Sequence, residues 1–517
     1  MTIENQVLDG PDPSGGSYGQ ILESSAVIGG SSVLNILFGI VRTKAMAFFL
    51  GPAGFGLFGL YASIISVAEC IAGFGVGSSA VRQLAYSAAS GDSARISRTA
   101  RVLFRVCLLL AFAGAGLLAI LARPVSIFTF GDIRHTGAIA LLSLAVFLEL
   151  VSTGQRALLQ GMRKVHDLAM TAIMSAFLGL LITIPLVFVL RDKGVVPAII
   201  GAGLISFLVA AYFSRRVRLP GAKLSWTQQF KEASSLLKLG FAFMTSYLMT
   251  TGAGYVVRIM VLRKIGYEAT GLYQAAWTLG GVYVGFILQA MGTDFYPRLT
   301  AVADNNDQCN RLVNEQTEVG LLLAGPGILA TLALAPLVLL IFYSSSFLAA
   351  VEVLRWICLG SLLQVVTWPM GYVLIAKGKQ AFFFGTEMTW AIAILGLTWC
   401  GIRWFGLIGV GMAFAAAYVV YGILLIVIVG GLSGFRWSGA NKRIALLYVF
   451  LIGLVFAAFS FMPSMQAICV GVIAALFSLI YSIRKIVKLV SSVRIPRSIR
   501  RLLAKANLIP SGSERAG

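Results

Sequence analysis

Apolar stretches long enough to cross a bilayer follow one another along almost the whole of the 517 residues and leave room for little else. A bilayer core about 30 Å thick takes roughly 20 apolar residues in a helix. On that ruler fourteen spans are expected, near 22–50, 55–80, 101–122, 135–158, 165–190, 195–213, 235–262, 270–296, 316–343, 350–375, 380–403, 405–432, 444–462 and 465–487. The chain is 58% hydrophobic and 12% charged, against roughly 25% charged in a soluble domain. In lipid every backbone N–H and C=O must be satisfied internally. Stretches of this length therefore read as an all-α integral membrane protein.

The net charge of +21 would point to nucleic acid in a soluble chain. Here it follows from loop composition, because cytoplasmic loops collect Lys and Arg. With a cytoplasmic N-terminus, 30 of the 41 basic residues fall inside and 11 outside. Both termini are thus expected in the cytoplasm, and no nucleic-acid partner is expected. Residues 1–20 lack Lys and Arg and read as a disordered tail, so the first span is taken as uncleaved. Six cysteines without a CxxC, and His135 and His166 in separate loops, give no reason to expect disulfides, a metal or a cofactor. There is no Walker A sequence, and every outer loop is short. ATP-driven transport by this chain alone and a large outer catalytic domain are both excluded; a transporter, not an enzyme, is expected.

One motif recurs. Arg42-Thr-Lys-Ala-Met-Ala-Phe-Phe-Leu-Gly-Pro-Ala-Gly-Phe-Gly-Leu-Phe-Gly59 returns in degraded form as Arg258-Ile-Met-Val-Leu-Arg-Lys-Ile-Gly-Tyr-Glu-Ala-Thr-Gly-Leu-Tyr273. Arg42 and Arg258 are 216 positions apart; Gly51 and Gly266, Gly56 and Gly271, and Phe58 and Tyr273 are each 215 apart. Arg82 and Arg298 share the offset 216, as do Arg163 and Lys379, and Asp92 and Asp307 share 215. Two six-helix repeats follow, and an even span number gives both the same orientation. A pseudo-two-fold along the membrane normal is expected, as in parallel-repeat transporters. The chain then divides into an N-tail (1–20), a first lobe (21–214), a cytoplasmic linker (215–233), a second lobe (234–432), two additional helices (433–490) and a basic cytoplasmic tail (491–517).

Ionisable residues inside spans are the first functional candidates, since a central Arg or Lys costs at least ~2.5–3.5 kcal/mol even on insertion scales. Arg42, Lys44 and Arg258 stand at the outer ends of the first and seventh spans. Snorkelling to the headgroups is the bland reading; cations lining a cleft between the lobes and taking an anion is the sharper one. Arg82 and Arg298 are placed at the cytoplasmic mouth, where Asp294, one turn before Arg298, is an obvious structural partner. Glu69, Glu149, Asp294, Glu352 and Glu387 are the acids inside spans; Glu69 and Glu149 are taken as candidates for ion coupling. Among the aromatics Tyr273 and Trp277 are candidates for stacking on sugar rings, with packing as the simpler alternative. Gly54-Phe-Gly-Leu-Phe-Gly59 matches GxGxxG, but it follows no strand. A dinucleotide fingerprint needs that context, so the glycines are read as an elbow and as sites of close helix approach.

Arg-x-Lys followed by Phe-Leu-Gly-Pro-Ala-Gly-Phe-Gly-Leu, together with Tyr296-Pro-Arg-Leu-Thr300 and the two repeats, resembles the Wzx-type polysaccharide-unit flippases. These belong to the multidrug/oligosaccharidyl-lipid/polysaccharide exporter superfamily, and the resemblance covers about 20–430. It implies movement of an undecaprenyl-diphosphate-linked oligosaccharide, of the O-antigen or lipid III kind, from the cytoplasmic to the periplasmic leaflet by alternating access. Surface polysaccharide or lipopolysaccharide assembly would be the setting, with a glycan polymerase or chain-length regulator as conceivable partners. The resemblance also implies that Arg42 and Arg258 hold the diphosphate. The two last spans depart from a twelve-helix pattern. Rival readings are a cation-coupled multidrug exporter of the same superfamily, which would want an acidic, aromatic cleft, and a polysaccharide polymerase or ligase, which the short outer loops disfavour.

Overall fold

The structure, a computed structural model, describes residues 17–89, 93–217 and 226–491, and all regular structure among them is helical. Eleven helical stretches among these residues are long and apolar enough to cross a bilayer. This is an all-helical, multi-pass membrane protein. The expected number was fourteen; two of the eleven stretches, Val33–Gly73 and Val165–Ser214, each cover two expected spans, and the 39-residue helix Trp226–Lys264 is not among them. The chain forms two compact units, Met1–Tyr255 and Val256–Gly517.

The first unit contains α1 (Ser17–Gly73), α2 (Val76–Ala89), α3 (Ser93–Ile120), α4 (Ala122–Phe130), α5 (Thr136–Gly161), α6 (Val165–Leu190), a 3-10 turn (Arg191–Gly194), α7 (Val195–Ser214) and most of α8 (Trp226–Lys264). The expected linker 215–233 is therefore helical from Trp226 onward, and residues 218–225 lie outside the described residues. Most of the expected N-tail, and the basic tail beyond Ser491, also lie outside them.

α1 is two arms joined at Gly51, whose φ of 64° and ψ of −175° are non-helical. Only glycine enters that region without strain. Pro52 then opens the second arm, where a residue without an N–H leaves no donor unpaired. Arg191 Nη1 donates to the carbonyl of Phe49, two residues before the break, at 3.0 Å. Arg42 and Lys44 lie inside the first arm as helix, not in a loop. A second break, at Phe74 and Gly75 (φ 48° and 60°), separates α1 from α2. There Gly75 and Gly240 of α8 approach so closely that a side chain on either would strike backbone of the other segment.

The second unit holds the end of α8, then α9 (Tyr267–Ala301), α10 (Asn306–Ala333), α11 (Ala335–Phe342), α12 (Val351–Ala376), α13 (Gln380–Phe405), α14 (Ile408–Ser433), α15 (Gly439–Phe461) and α16 (Ser464–Ser491). α15 and α16, the two additional helices, pack on α10. Asn441 Nδ2 donates to Asn314 O at 2.9 Å, and Asn310 Nδ2 donates to Ser433 O at 2.7 Å. Near the other end of α15, Arg355 of α12 lies over the Phe459 ring at 3.4 Å from its centroid and pairs with Glu352.

Element order recurs between the units. α5 and α12, each 26 residues, start 215 apart, and so do α6 and α13, also 26 residues each. Gly266 repeats the Gly51 break with φ 118° and ψ −178°. Arg191 and Gly406, again 215 apart, share a left-handed φ of 51° and 58°.

Candidate functional site

A cavity of about 550 Å³ lies within the first unit, walled by α1, α5, α6 and α7. Both arms of α1 present one helical face to it. Asn35, Phe38 and Arg42 come from the first arm; Ala62, Ser66 and Glu69, at spacings of three and four, come from the second. α5 adds Glu149 and Arg156, seven residues or two turns apart and therefore on one face. α6 and α7 contribute small residues, among them Ala172, Ser175 and Ala202, which is why space is left between the helices.

Four ionisable groups thus share one cavity among membrane-spanning helices. Arg156 pairs with Glu149, and it also donates to Ser206 Oγ of α7 at 3.1 Å and to Thr153 Oγ1 at 3.3 Å. The guanidinium is held from three sides, so its direction is set by α5 and α7 together. Glu69 makes no hydrogen bond or ion pair with any described residue, although Glu149 and Arg156 lie within its electrostatic reach. His135, just ahead of α5, accepts from or donates to the Tyr61 hydroxyl at 2.8 Å and stacks on Phe130. That contact ties the second arm of α1 to the α4–α5 corner, and burial of the ring lowers the His135 pKa from its ordinary value.

Of the residues singled out in the sequence, Arg42, Glu69 and Glu149 meet in this cavity. Lys44 is exposed and does not line it. Arg258 belongs to the second unit, where its Nε donates to Gln274 Oε1 at 2.7 Å and its guanidinium lies 5.8 and 5.9 Å from the Tyr273 and Trp277 ring centroids. Tyr273 is 3% exposed and packed against Trp277, so no open face is left on it for a sugar ring; Trp277 is half-buried and meets Phe414 edge-on. Asp294 and Arg298 pair at 3.0 Å within one turn of α9, both largely exposed, and Arg82 is exposed on α2. Glu352 pairs with Arg355, and Glu387 accepts from Tyr421 at 2.7 Å.

Arg156 lines the cavity too and is not among the sequence candidates, since its place at the end of the expected span 135–158 is where cytoplasmic basic residues collect. Its seven-residue spacing from Glu149 was the available signal. Among the described residues no group of three or more His, Cys, Asp or Glu could hold a metal.

A family model described as polysaccharide biosynthesis protein matches residues 45–352. The chain belongs to that family. This family member is 23% identical over 399 residues to the lipid III flippases of Escherichia coli K12 and of Shigella flexneri, covering 76% of this chain and 94% of each relative. Its fold is similar to that of the lipid II flippase MurJ in an inward closed conformation, with a TM-score of 0.65 and 14% identity over 90% of this chain and all of the other. It is similar too to an inward-facing multidrug resistance MATE family transporter, with a TM-score of 0.64 and 14% identity over 77% and 95% of the two chains. The family match covers the second arm of α1 and all of α5 to α7, and so every cavity residue named above except Asn35, Phe38 and Arg42.

Proposed function

We propose that the protein is a flippase for an oligosaccharide carried on undecaprenyl diphosphate, moving it from the cytoplasmic to the periplasmic leaflet of the bacterial inner membrane by alternating access. The observation that carries this reading is the charged cavity of the first unit, with Arg42 and Arg156 facing Glu69 and Glu149 among membrane-spanning helices. A diphosphate matches guanidinium geometry through paired N–H···O bonds. Kinship with the lipid III flippases supports the lipid-linked substrate.

In this scheme Arg42 takes the diphosphate as it enters the first unit, and Arg258 contributes from the second. Arg82 and Arg298 receive the headgroup at the cytoplasmic mouth, with Asp294 holding Arg298 in place, and Trp277 is the stacking surface for sugar. Glu69 and Glu149 couple the cycle to an ion gradient. Both termini face the cytoplasm. A glycan polymerase or chain-length regulator receives the product outside.

The test is replacement of Arg42 and of Arg258 by Ala in cells that depend on this protein for surface polysaccharide. Each should leave lipid-linked units in the inner leaflet and cut surface polysaccharide at least about tenfold, with Lys restoring only part. Normal surface polysaccharide in both Ala variants removes these residues from the site. Resistance to cationic drugs on overexpression, without any glycan defect on deletion, replaces the flippase reading by drug export.

A further inference from the structure

α6 ends in a backbone conformation that suits glycine, and an arginine occupies it. Arg191 has φ 51° and ψ −130°. Gly406, its counterpart at the end of α13, has φ 58° and ψ −135°. Glycine enters this region without a steric penalty, whereas a residue with a Cβ is strained there. The second unit makes the turn with the unstrained residue; the first makes it with a side chain that reaches another helix.

We propose that Arg191 is a positioning residue for the diphosphate site: it straps the elbow end of the first arm of α1 to α6 and so fixes where Arg42 presents its guanidinium. This rests on the flippase reading and adds to it a residue that touches no substrate.

The path from Arg191 to Arg42 runs along one face of that arm. Phe38, Arg42 and Met46 line the charged cavity. Phe49, seven residues or two turns beyond Arg42, continues the same stripe. Two ring contacts pin the stripe to α6, Phe38 on Phe177 at 5.4 Å and Phe49 on Phe188 at 5.3 Å between centroids. Arg42 lies between the pins.

Apolar contact has no direction, so rings alone would let the arm slide and turn. A hydrogen bond to the backbone does have direction. Arg191 supplies it at the second pin, where Nη1 donates to the Phe49 carbonyl at 3.0 Å and the guanidinium lies 5.9 Å from the Phe49 ring centroid. Asp192 follows on the other side of the elbow, placed so that a side chain on Gly54 would strike its carboxylate. The turn Arg191–Gly194 thus grips the Gly51 break from both sides.

Strain alone does not mark such a role. Arg163, in the turn between α5 and α6, has a φ of 54°, and its counterpart Gly378 has 68°. Yet the Arg163 side chain makes no hydrogen bond, ion pair or ring contact with a described residue. Arg191 has both the strain and the contact, which makes Arg163 its control.

The experiment uses the full chain in detergent with farnesyl diphosphate as probe. Binding affinity, thermal unfolding and amide hydrogen exchange in the first arm are read on the same preparation. Arg191→Gly removes strap and strain together. It should weaken binding at least about fivefold and speed exchange over residues 42–49 at least about tenfold, while the thermal midpoint stays level or rises. Arg191→Lys keeps an N–H donor for the Phe49 carbonyl and should bind within about twofold of wild type. Arg163→Gly should leave binding and exchange unchanged. Because Arg191 acts through Arg42, adding Arg191→Gly to Arg42→Ala should weaken binding less than about twofold further.

Wild-type exchange in the first arm of Arg191→Gly overturns the proposal. So does a binding loss that adds in full to that of Arg42→Ala, because Arg191 would then meet the ligand on its own account. A thermal midpoint that falls together with binding makes Arg191 a structural post and overturns it as well. Failure of the wild type to bind farnesyl diphosphate counts against the flippase reading instead, and exchange in the first arm then judges the strap alone.

Discussion

The order from α3 to α7 in the first unit returns as α10 to α14 in the second, yet where the first holds a charged cavity the second holds packed rings. Positions 215 residues apart make the contrast concrete. Ala62 and Ser175, small residues on the cavity wall, correspond to Trp277 and Trp390. Glu69, Glu149 and Arg156 correspond to Val284, Gln364 and Gly371. In the second unit Trp277, Phe414, Tyr418 and Trp390 form a run of ring contacts at 5.1 to 5.9 Å, and Trp390 is 7% exposed. The lesson is that a repeated backbone does not repeat its chemistry. With indoles at two positions where the first unit has small residues, ring contacts stand in place of the cavity, and the counterparts of Glu149 and Arg156 carry no charge. What the second unit keeps is Arg258, its guanidinium beside aromatic faces where a cation–π contact replaces water.

The sharpest way to break this comparison is to fill the first cavity as the second unit is filled. Ser175→Trp should cost at least about a hundredfold in transport, because bulk in the cavity displaces the headgroup while the helices still pack. Surface polysaccharide in cells, read beside the yield of folded protein, separates the two effects. Wild-type transport with an indole at 175 would mean that the cavity is not the site.

The converse change acts on stability. Trp390→Ala should cost on the order of 2–4 kcal/mol, read from thermal unfolding in detergent, since loss of ring contacts is what a cavity costs when both sides are already apolar. Transport should fall only with the amount of folded protein.

A smaller effect is expected at the ion pair. Glu149→Gln leaves Arg156 with Ser206 and Thr153 but without its carboxylate. Both side chains are about one-third exposed, so a cost of about 1–2 kcal/mol is expected, below that for a fully buried charge. The double change Glu149→Gln with Arg156→Gln should recover most of it, a coupling that a double-mutant cycle reads directly. Asp294→Asn, at the exposed pair of α9, should shift stability by no more than about 0.5 kcal/mol. A larger shift there would place that pair with the cavity ion pair in kind.

Much of this was legible in the chain itself. Apolar length fixed helices as the only regular structure, because an unpaired backbone has no water to turn to in lipid. The repeat near 215 foretold the matching breaks at Gly51 and Gly266, since a left-handed elbow admits glycine and little else. Glu69, Glu149 and Arg42 stand out in the sequence as charges inside apolar runs, where burying an ion is costly, and all three line one cavity. Counting spans did not give the number of helical stretches: the breaks at Gly51 and Arg191–Gly194 fall between neighbouring expected spans, yet the helical backbone runs on through each, so two pairs of expected spans form two single stretches.

What only the tertiary structure decided is which charges meet. Arg156 lies at the end of its span in sequence, yet α5 turns it toward Glu149 and α7 fixes it through Ser206. Tyr273 reads as a sugar platform by type, and packing in the second unit buries it. Glu69 gained a second cavity from α8, more than 170 residues further along the chain. Sequence spacing sets the face of a helix; which face meets which is set by helix packing, and that depends on side-chain volumes contributed from distant parts of the chain.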